Sequence, residues 1–298
     1  MNDVFEIIKK AYKPLRLTKK NNCTIIDTTT GSYVIKKKSE KNISNLYKYL
    51  KSRSFDYFPE IIEDNRDEYN IYEYVDSIEY KKEQKAIDLI DVISSLHNKT
   101  MYYKDITPDK YQSVYENINN NIIFLKNHYQ KTIDNIYNEI YMSPSHYLLI
   151  RNSSKIFAAL DFSKKELDEW FELVKNKTSE KVAIIHNNLS TDHLLVSDKN
   201  YLISWENYKT DSPILDIIKF YQNEYFDLNF ETLLTRYFNK NNPSEEEKKL
   251  LFVVISLPPK IEFSENELAS CKAVSKNLEY IYKTENLIRP YYAIHNEE

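Results

Sequence analysis

The sequence predicts an α+β chain in which short antiparallel strands come first and helices follow. Two patterns carry this expectation. Short runs of β-branched and aromatic residues, punctuated by turn signals, crowd residues 15–75. From Ala86 onward, apolar residues recur at spacings of three and four, and capping signals mark helix starts. A length of 298 residues suits one large domain or two lobes.

In order along the chain, LTKKNNCTII reads as the first two strands. TTTGS is a hairpin turn in which Gly31, the single glycine of the chain, supplies a positive φ. SYVIKKK is the next strand; its period of two places Val34 and Lys36 on one face and Tyr33, Ile35 and Lys37 on the other. A helix follows over about Ser39 to Arg53, and FPEIIED and YNIYEYVDS are two more strands.

The first helix after them carries Ala86, Ile87, Ile90, Ile93, Leu96 and His97 on one stripe and ends near Asn98. Thr107-Pro108 is a cap with proline at the first helical position. It opens a long amphipathic helix through Val114, Ile118, Ile122, Leu125, Tyr129, Ile133 and Ile140. Capping boxes predict further starts at Ser163 with Glu166, Ser244 with Glu247, and Ser264 with Glu267. Pro258-Pro259 separates the last two helices.

Composition narrows the function classes. Apolar residues make up 42% and charged residues 29% of the chain, an ordinary soluble balance. The longest apolar run, Leu250–Leu257, is far too short to cross a bilayer. MNDVFEIIKK lacks the apolar core of a signal peptide, so a cytoplasmic protein is expected. Cys23 and Cys271 have no metal spacing. Residues 1–60 hold 13 Lys and Arg against 6 Asp and Glu, a net charge of +7, which leaves −11 for the remainder of a chain whose total is −4. There is no zinc spacing, aromatic RNA-binding pattern or basic pI, so no nucleic-acid partner is expected.

The chemically informative stretch is HNNLSTDHLLVSDKNYLISWE, residues 186–206. Apolar VAII before it and YLISW after it read as short buried strands, with a turn at SDKN. The stretch resembles the catalytic loop and metal-binding strand of the aminoglycoside phosphotransferase and choline kinase superfamily, and within it the spore coat kinase-like proteins. That pattern is His-Gly-Asp-Leu-His-x-x-Asn-Leu-Leu, then Ile-Asp-Trp/Phe-Glu/Asp, then Asp-Pro with a further Asp three residues beyond the Pro. His186, Leu189, Leu194, Leu195, Ile203, Trp205, Glu206, Pro213 and Asp216 match in order and spacing. The departures are Asn187 for the Gly, Asn188 for the catalytic Asp, Ser190 for the second His, His193 for the metal-binding Asn and Ser204 for the metal-binding Asp.

The resemblance implies a two-lobed protein kinase-like fold, with a small antiparallel-sheet N-lobe over residues 1–76 and a mostly helical C-lobe over 77–298. It implies a hinge near 73–76, where Glu73, Tyr74 and Val75 offer backbone groups to an adenine. It makes Lys36 the lysine for the α and β phosphates, with Val34 beside the adenine and Glu40 as the acid that pairs with Lys36. His186 becomes the loop brace and Asp216 the residue that ties the loop. ATP is the implied cofactor.

A magnesium site does not follow, because the metal positions His193 and Ser204 are degenerate and only Asp192 and Glu206 offer substitute carboxylates. Asparagine cannot accept the proton of an attacking hydroxyl, a role worth about 10²- to 10⁴-fold. No glycine-rich loop can lie between the first two strands. The segment from Pro108 to Lys177, where the group places substrate-recognising helices, has no acidic cluster for an aminoglycoside. The expected protein is a pseudokinase that works as a scaffold or assembly factor with protein partners, in the spore coat by resemblance. The alternatives are an active ATP-dependent phosphotransferase on a small-molecule hydroxyl and a nucleotide-binding sensor without catalysis.

Overall fold

In the computed structural model, which describes residues 14–20, 23–62, 69–107 and 109–293, the early strands close into one sheet. Arg16–Lys20 (β1), Cys23–Thr28 (β2), Gly31–Lys37 (β3), Ile61–Ile62 (β4) and Tyr69–Glu73 (β5) lie in the order β1-β2-β3-β5-β4. Every pairing among them is antiparallel. Thr28 opposes Gly31 across the β2–β3 turn, and Gly31 holds φ at +145°, a conformation closed to other residues without strain. Ile26, Ile35 and Ile71 are buried on one face with Tyr33 packed against them. The alternation of β3 therefore puts Val34 and Lys36 on the opposite face, opposite Tyr72 and Asn70 of β5.

Ile43–Ser52 (α1) follows β3. Asn42 caps it, its side chain accepting from the Asn45 amide at 3.0 Å, and Ile43, Leu46, Tyr47 and Leu50 form the buried stripe. The helix thus begins after Glu40, which lies outside it and is exposed.

The chain divides into two compact units. The first comprises residues 1–100 with 190–209, and the second 101–189 with 210–298. The first unit holds the five-stranded sheet, α1, Lys82–Thr100 (α2), and the hairpin of Leu194–Val196 (β8) with Asn200–Leu202 (β9). Helix α2 packs on that hairpin and on the short 3-10 turn Thr191–His193. The first unit therefore runs on past the sheet through α2. The Ile78 amide donates to the Val196 carbonyl at 2.9 Å, which binds the segment after β5 to the β8 strand.

The second unit is helical around a small sheet. Tyr102–Asp105 (β6) and Ser179–Ile185 (β7) pair antiparallel, and Lys209–Asp211 (β10) completes the order β10-β7-β6 as it carries the chain back into this unit. Its helices are Asp109–Tyr137 (α3), Pro144–Val174 (α4), Ile214–Glu224 (α5), Phe230–Asn241 (α6), Glu245–Ser256 (α7) and Glu267–Ala293 (α8). Ile122, Leu125, Tyr129, Leu160, Trp170, Val253 and Val274 anchor a core shared by α3, α4, α7 and α8. Among the described residues, no helix is long and apolar enough to cross a membrane.

Two helix-start expectations are corrected. The start of α4 is Ser143-Pro144, with the Ser143 hydroxyl accepting from the His146 amide. Ser163 lies inside this helix, where its hydroxyl donates to the Ala159 carbonyl at 2.9 Å, and Glu166 is buried against Lys249 and Tyr292. At α8 the cap is Asn266, whose side chain accepts from the Ala269 amide, while Glu267 accepts from the Ser145 amide. The Ser244–Glu247 capping box is present in both directions. Ile140 lies beyond α3 and is 91% exposed, because the chain turns away at Tyr137. Pro108 lies outside the described residues.

Candidate functional site

The loop at 186–206 passes from the second unit into the first at Ser190, so its two halves are built by different parts of the fold. In the second unit, β7 delivers a buried His186 at its end. Asp216, fully buried in the first turn of α5, accepts from the His186 amide at 2.8 Å and from the Asn187 amide at 2.6 Å. Lys219 then donates to the Asn187 carbonyl and Asn223 to the Leu189 carbonyl, at 3.1 Å each. One helix therefore holds three successive parts of the loop backbone.

Asn187 has φ +60°. That explains the residue that replaces the glycine of the resembled pattern, since asparagine tolerates the left-handed region better than other side chains. Asn188 follows, partly buried. Its amide side chain is not ionisable and offers no carboxylate to a reacting hydroxyl.

In the first unit, Ser190 caps the 3-10 turn, its hydroxyl accepting from the Asp192 amide. Asp192 is exposed and His193 partly buried. The His193 carbonyl accepts from the Ile203 amide at 2.9 Å, and the Leu202 amide donates to the Tyr57 carbonyl at 2.8 Å. These bonds set Ser204 beside the turn that carries His193. Ser204 has φ +67° and ψ +49°, and its hydroxyl makes no capping bond to the 3-10 turn Trp205–Asn207 that follows.

A left-handed serine is strained by roughly 1 kcal/mol. Ser204→Gly is accordingly expected to raise the unfolding free energy by about 0.5–1 kcal/mol. Urea unfolding checks this, and a loss of stability would mean that the hydroxyl makes contacts worth more than the strain.

Trp205 is buried, its indole N–H donating to the Leu202 carbonyl at 2.8 Å. Its ring meets Tyr47 and Phe55 edge-on, with centroids 6.4 and 6.2 Å away, and Tyr47 stacks on Phe58 at 3.9 Å. The anchored indole fixes the next residue, Glu206, whose carboxylate forms an ion pair with Lys36.

This corrects the expected Lys36–Glu40 pair. Helix α1 contains no acidic residue, and Glu40 stays ahead of it. Burial holds the Tyr47 phenol well above its usual range, with Tyr72 and Glu206 adding to the effect. Burial likewise pushes Tyr72 up to about 12, against the lowering effect of its hydrogen bond from Asn70. Both phenols are therefore neutral at physiological pH, leaving Glu206 as the carboxylate that answers Lys36 among the described residues.

Val34 lies on the Lys36 face of the sheet, one alternation away. At the expected hinge, the Glu73 amide is taken by the Glu60 carbonyl and the Tyr74 amide by the Ser32 carbonyl, at 3.0 and 3.3 Å. Val75 follows the end of β5, half-buried. Lys20 and Cys23 already pair across the β1–β2 turn, so two residues connect the strands; these, Asn21 and Asn22, lie outside the described residues.

The donor set does not fit a magnesium ion. Ser204 is a neutral hydroxyl, His193 offers nitrogen, Glu206 is engaged by an ammonium, and the exposed Asp192 is the remaining carboxylate of the set. Among the described residues, no three His, Cys, Asp or Glu side chains converge as ligands.

No protein-family model matches the chain, and no curated protein matches it by sequence. Solved structures do. An aminoglycoside phosphotransferase from Alicyclobacillus acidocaldarius superposes with a TM-score of 0.67 at 11% identity, covering 93% of this chain and 92% of that one. The AMP-bound spectinomycin phosphotransferase APH(9)-Ia gives 0.53 at 13% identity, with 98% and 94% covered. The same enzyme with ADP and spectinomycin gives 0.50 at 13%, with 95% and 98% covered. Likeness at these identities speaks for backbone arrangement and not for chemistry. This chain has the kinase-like α+β fold of the aminoglycoside phosphotransferases.

Proposed function

We propose that this protein is a pseudokinase: a phosphotransferase-fold protein that does not carry out ordinary phosphoryl transfer and serves as a binding and assembly surface. The observation that carries the reading is the pattern of retained and lost chemistry around the loop. Asp216 still ties the His186 and Asn187 amides. The base position is Asn188, the metal position is Ser204, and of the two substitute carboxylates Glu206 is committed to Lys36 while Asp192 lies exposed on the 3-10 turn. Phosphoryl transfer depends on charge neutralisation and positioning of the phosphates, and both are lost together when base and metal ligands go. An assembly role with protein partners, beginning in the cytosol and set in the spore coat, follows from the resemblance of residues 186–216 to the spore coat kinase-like proteins.

A nucleotide-sensing role is the second reading. It is favoured by Lys36, which stands on β3 with 26% of its side chain exposed, and by the AMP and ADP held in the spectinomycin phosphotransferase structures. One pair of measurements separates the readings: ADP release, and thermal shift with ATP in magnesium or in EDTA. The pseudokinase scaffold predicts no ADP release above buffer and no shift in either condition. A shift without turnover would favour the sensor, and magnesium-dependent turnover would overturn the proposal in favour of an active phosphotransferase on a small-molecule hydroxyl.

A further inference from the structure

Lys36 is the one residue of the resembled phosphate-binding apparatus that survives with its charge, and it is not left open to solvent anions. Its ammonium is paired with Glu206, and the two side chains are 26% and 31% exposed, so the pair sits at a solvent-reachable surface of the first unit. The carboxylate is no wandering surface partner. It follows Trp205, whose buried indole is hydrogen-bonded to the Leu202 carbonyl and wedged against Tyr47 and Phe55. On the same side stand the neutral phenols of Tyr47 and Tyr72, and α1 contributes no acid of its own.

We propose that Glu206 is a specificity-determining residue that keeps metal-free phosphate groups off Lys36. The proposal rests on the reading of Lys36 as the phosphate-facing lysine of this fold, and it goes further by assigning the reason that lysine is silent. A polyphosphate approaching Lys36 meets a neutralised ammonium and a fixed carboxylate. It must displace one negative charge and then lie beside it, so attraction becomes repulsion. The binding frame is thus closed by one side chain and not by loss of the lysine.

The test uses the full chain and two probes, tripolyphosphate and ATP, titrated calorimetrically in EDTA at low salt. Wild type is expected to bind both weakly. Glu206→Gln keeps the size of the side chain and removes the charge, and is expected to bind tripolyphosphate and ATP at least about tenfold more tightly, as befits one charge removed at a partly solvated position. The gain should shrink with added salt and disappear in Lys36→Met/Glu206→Gln. Urea unfolding of each variant confirms that the first unit is folded, and Glu206→Ser replaces the glutamine variant if it is not. A charge-neutral variant no tighter than wild type, or a gain that survives loss of Lys36, overturns the inference. Neither result bears on whether the wild-type protein releases ADP, so this proposal and the pseudokinase reading fail separately.

Discussion

Trp205→Ala is expected to lower the unfolding free energy by about 3–5 kcal/mol, the range for emptying a buried aromatic site. Trp205 is 2% exposed. Tyr47 and Phe55 meet the indole edge-on, and Tyr47 stacks in turn on Phe58. Removal of the ring also leaves the Leu202 carbonyl without its indole donor. Chemical denaturation measures the loss. Trp205→Phe retains ring packing and forfeits the hydrogen bond, so it should cost about 1–2 kcal/mol. If the alanine variant loses less than the phenylalanine variant, the aromatic cluster is not what holds the turn.

Asp216→Ala is expected to cost about 3–6 kcal/mol, from two charge-assisted hydrogen bonds of roughly 1.5–3 kcal/mol each. Both donors are backbone amides, those of His186 and Asn187, and the carboxylate that receives them is fully buried. Without it these N–H groups lose their acceptor where water cannot easily replace it. Asn at this position offers one oxygen and an NH2 group that faces a donor, so Asp216→Asn should recover little of the loss. Amide hydrogen exchange gives the local readout: protection at residues 186 and 187 should fall further than at the centre of α4. Equal protection in wild type and variant would show that the loop is held by other contacts.

These two residues also show how far the sequence could be read. Trp205 and Asp216 matched the resembled pattern in letter and spacing, and both turned out to hold the loop in place. Their roles depend on short-range geometry, such as a strand end, a tight turn or the first turn of a helix, which local sequence encodes well. The hairpin at Gly31, the alternation of Val34 and Lys36 on β3, and the strand–turn–strand of β8 and β9 were legible for the same reason.

Three features were not. The pairing of Lys36 with Glu206 joins residues far apart in sequence, and a search confined to the following helix finds only Glu40. The clue was present in the absence of any acid from Ile43 to Ser52, but only the packing shows which distant carboxylate takes the role. The interior position of Ser163 was hidden because S-x-x-E also occurs inside helices, where the serine bonds back to the preceding turn. The start of α4 at Ser143-Pro144 carried its own signal, a capping serine before proline, overshadowed by the more familiar box twenty residues on.

Taken by itself, the sequence determined the α+β scaffold of early antiparallel strands and later helices, because hydrophobic period and turn residues are local properties of the chain. Tertiary structure alone decided where Lys36 spends its charge. An ion pair is set by which distant side chains the packed core brings within a few ångströms, and here a buried tryptophan carries Glu206 to the lysine while α1 offers no acid.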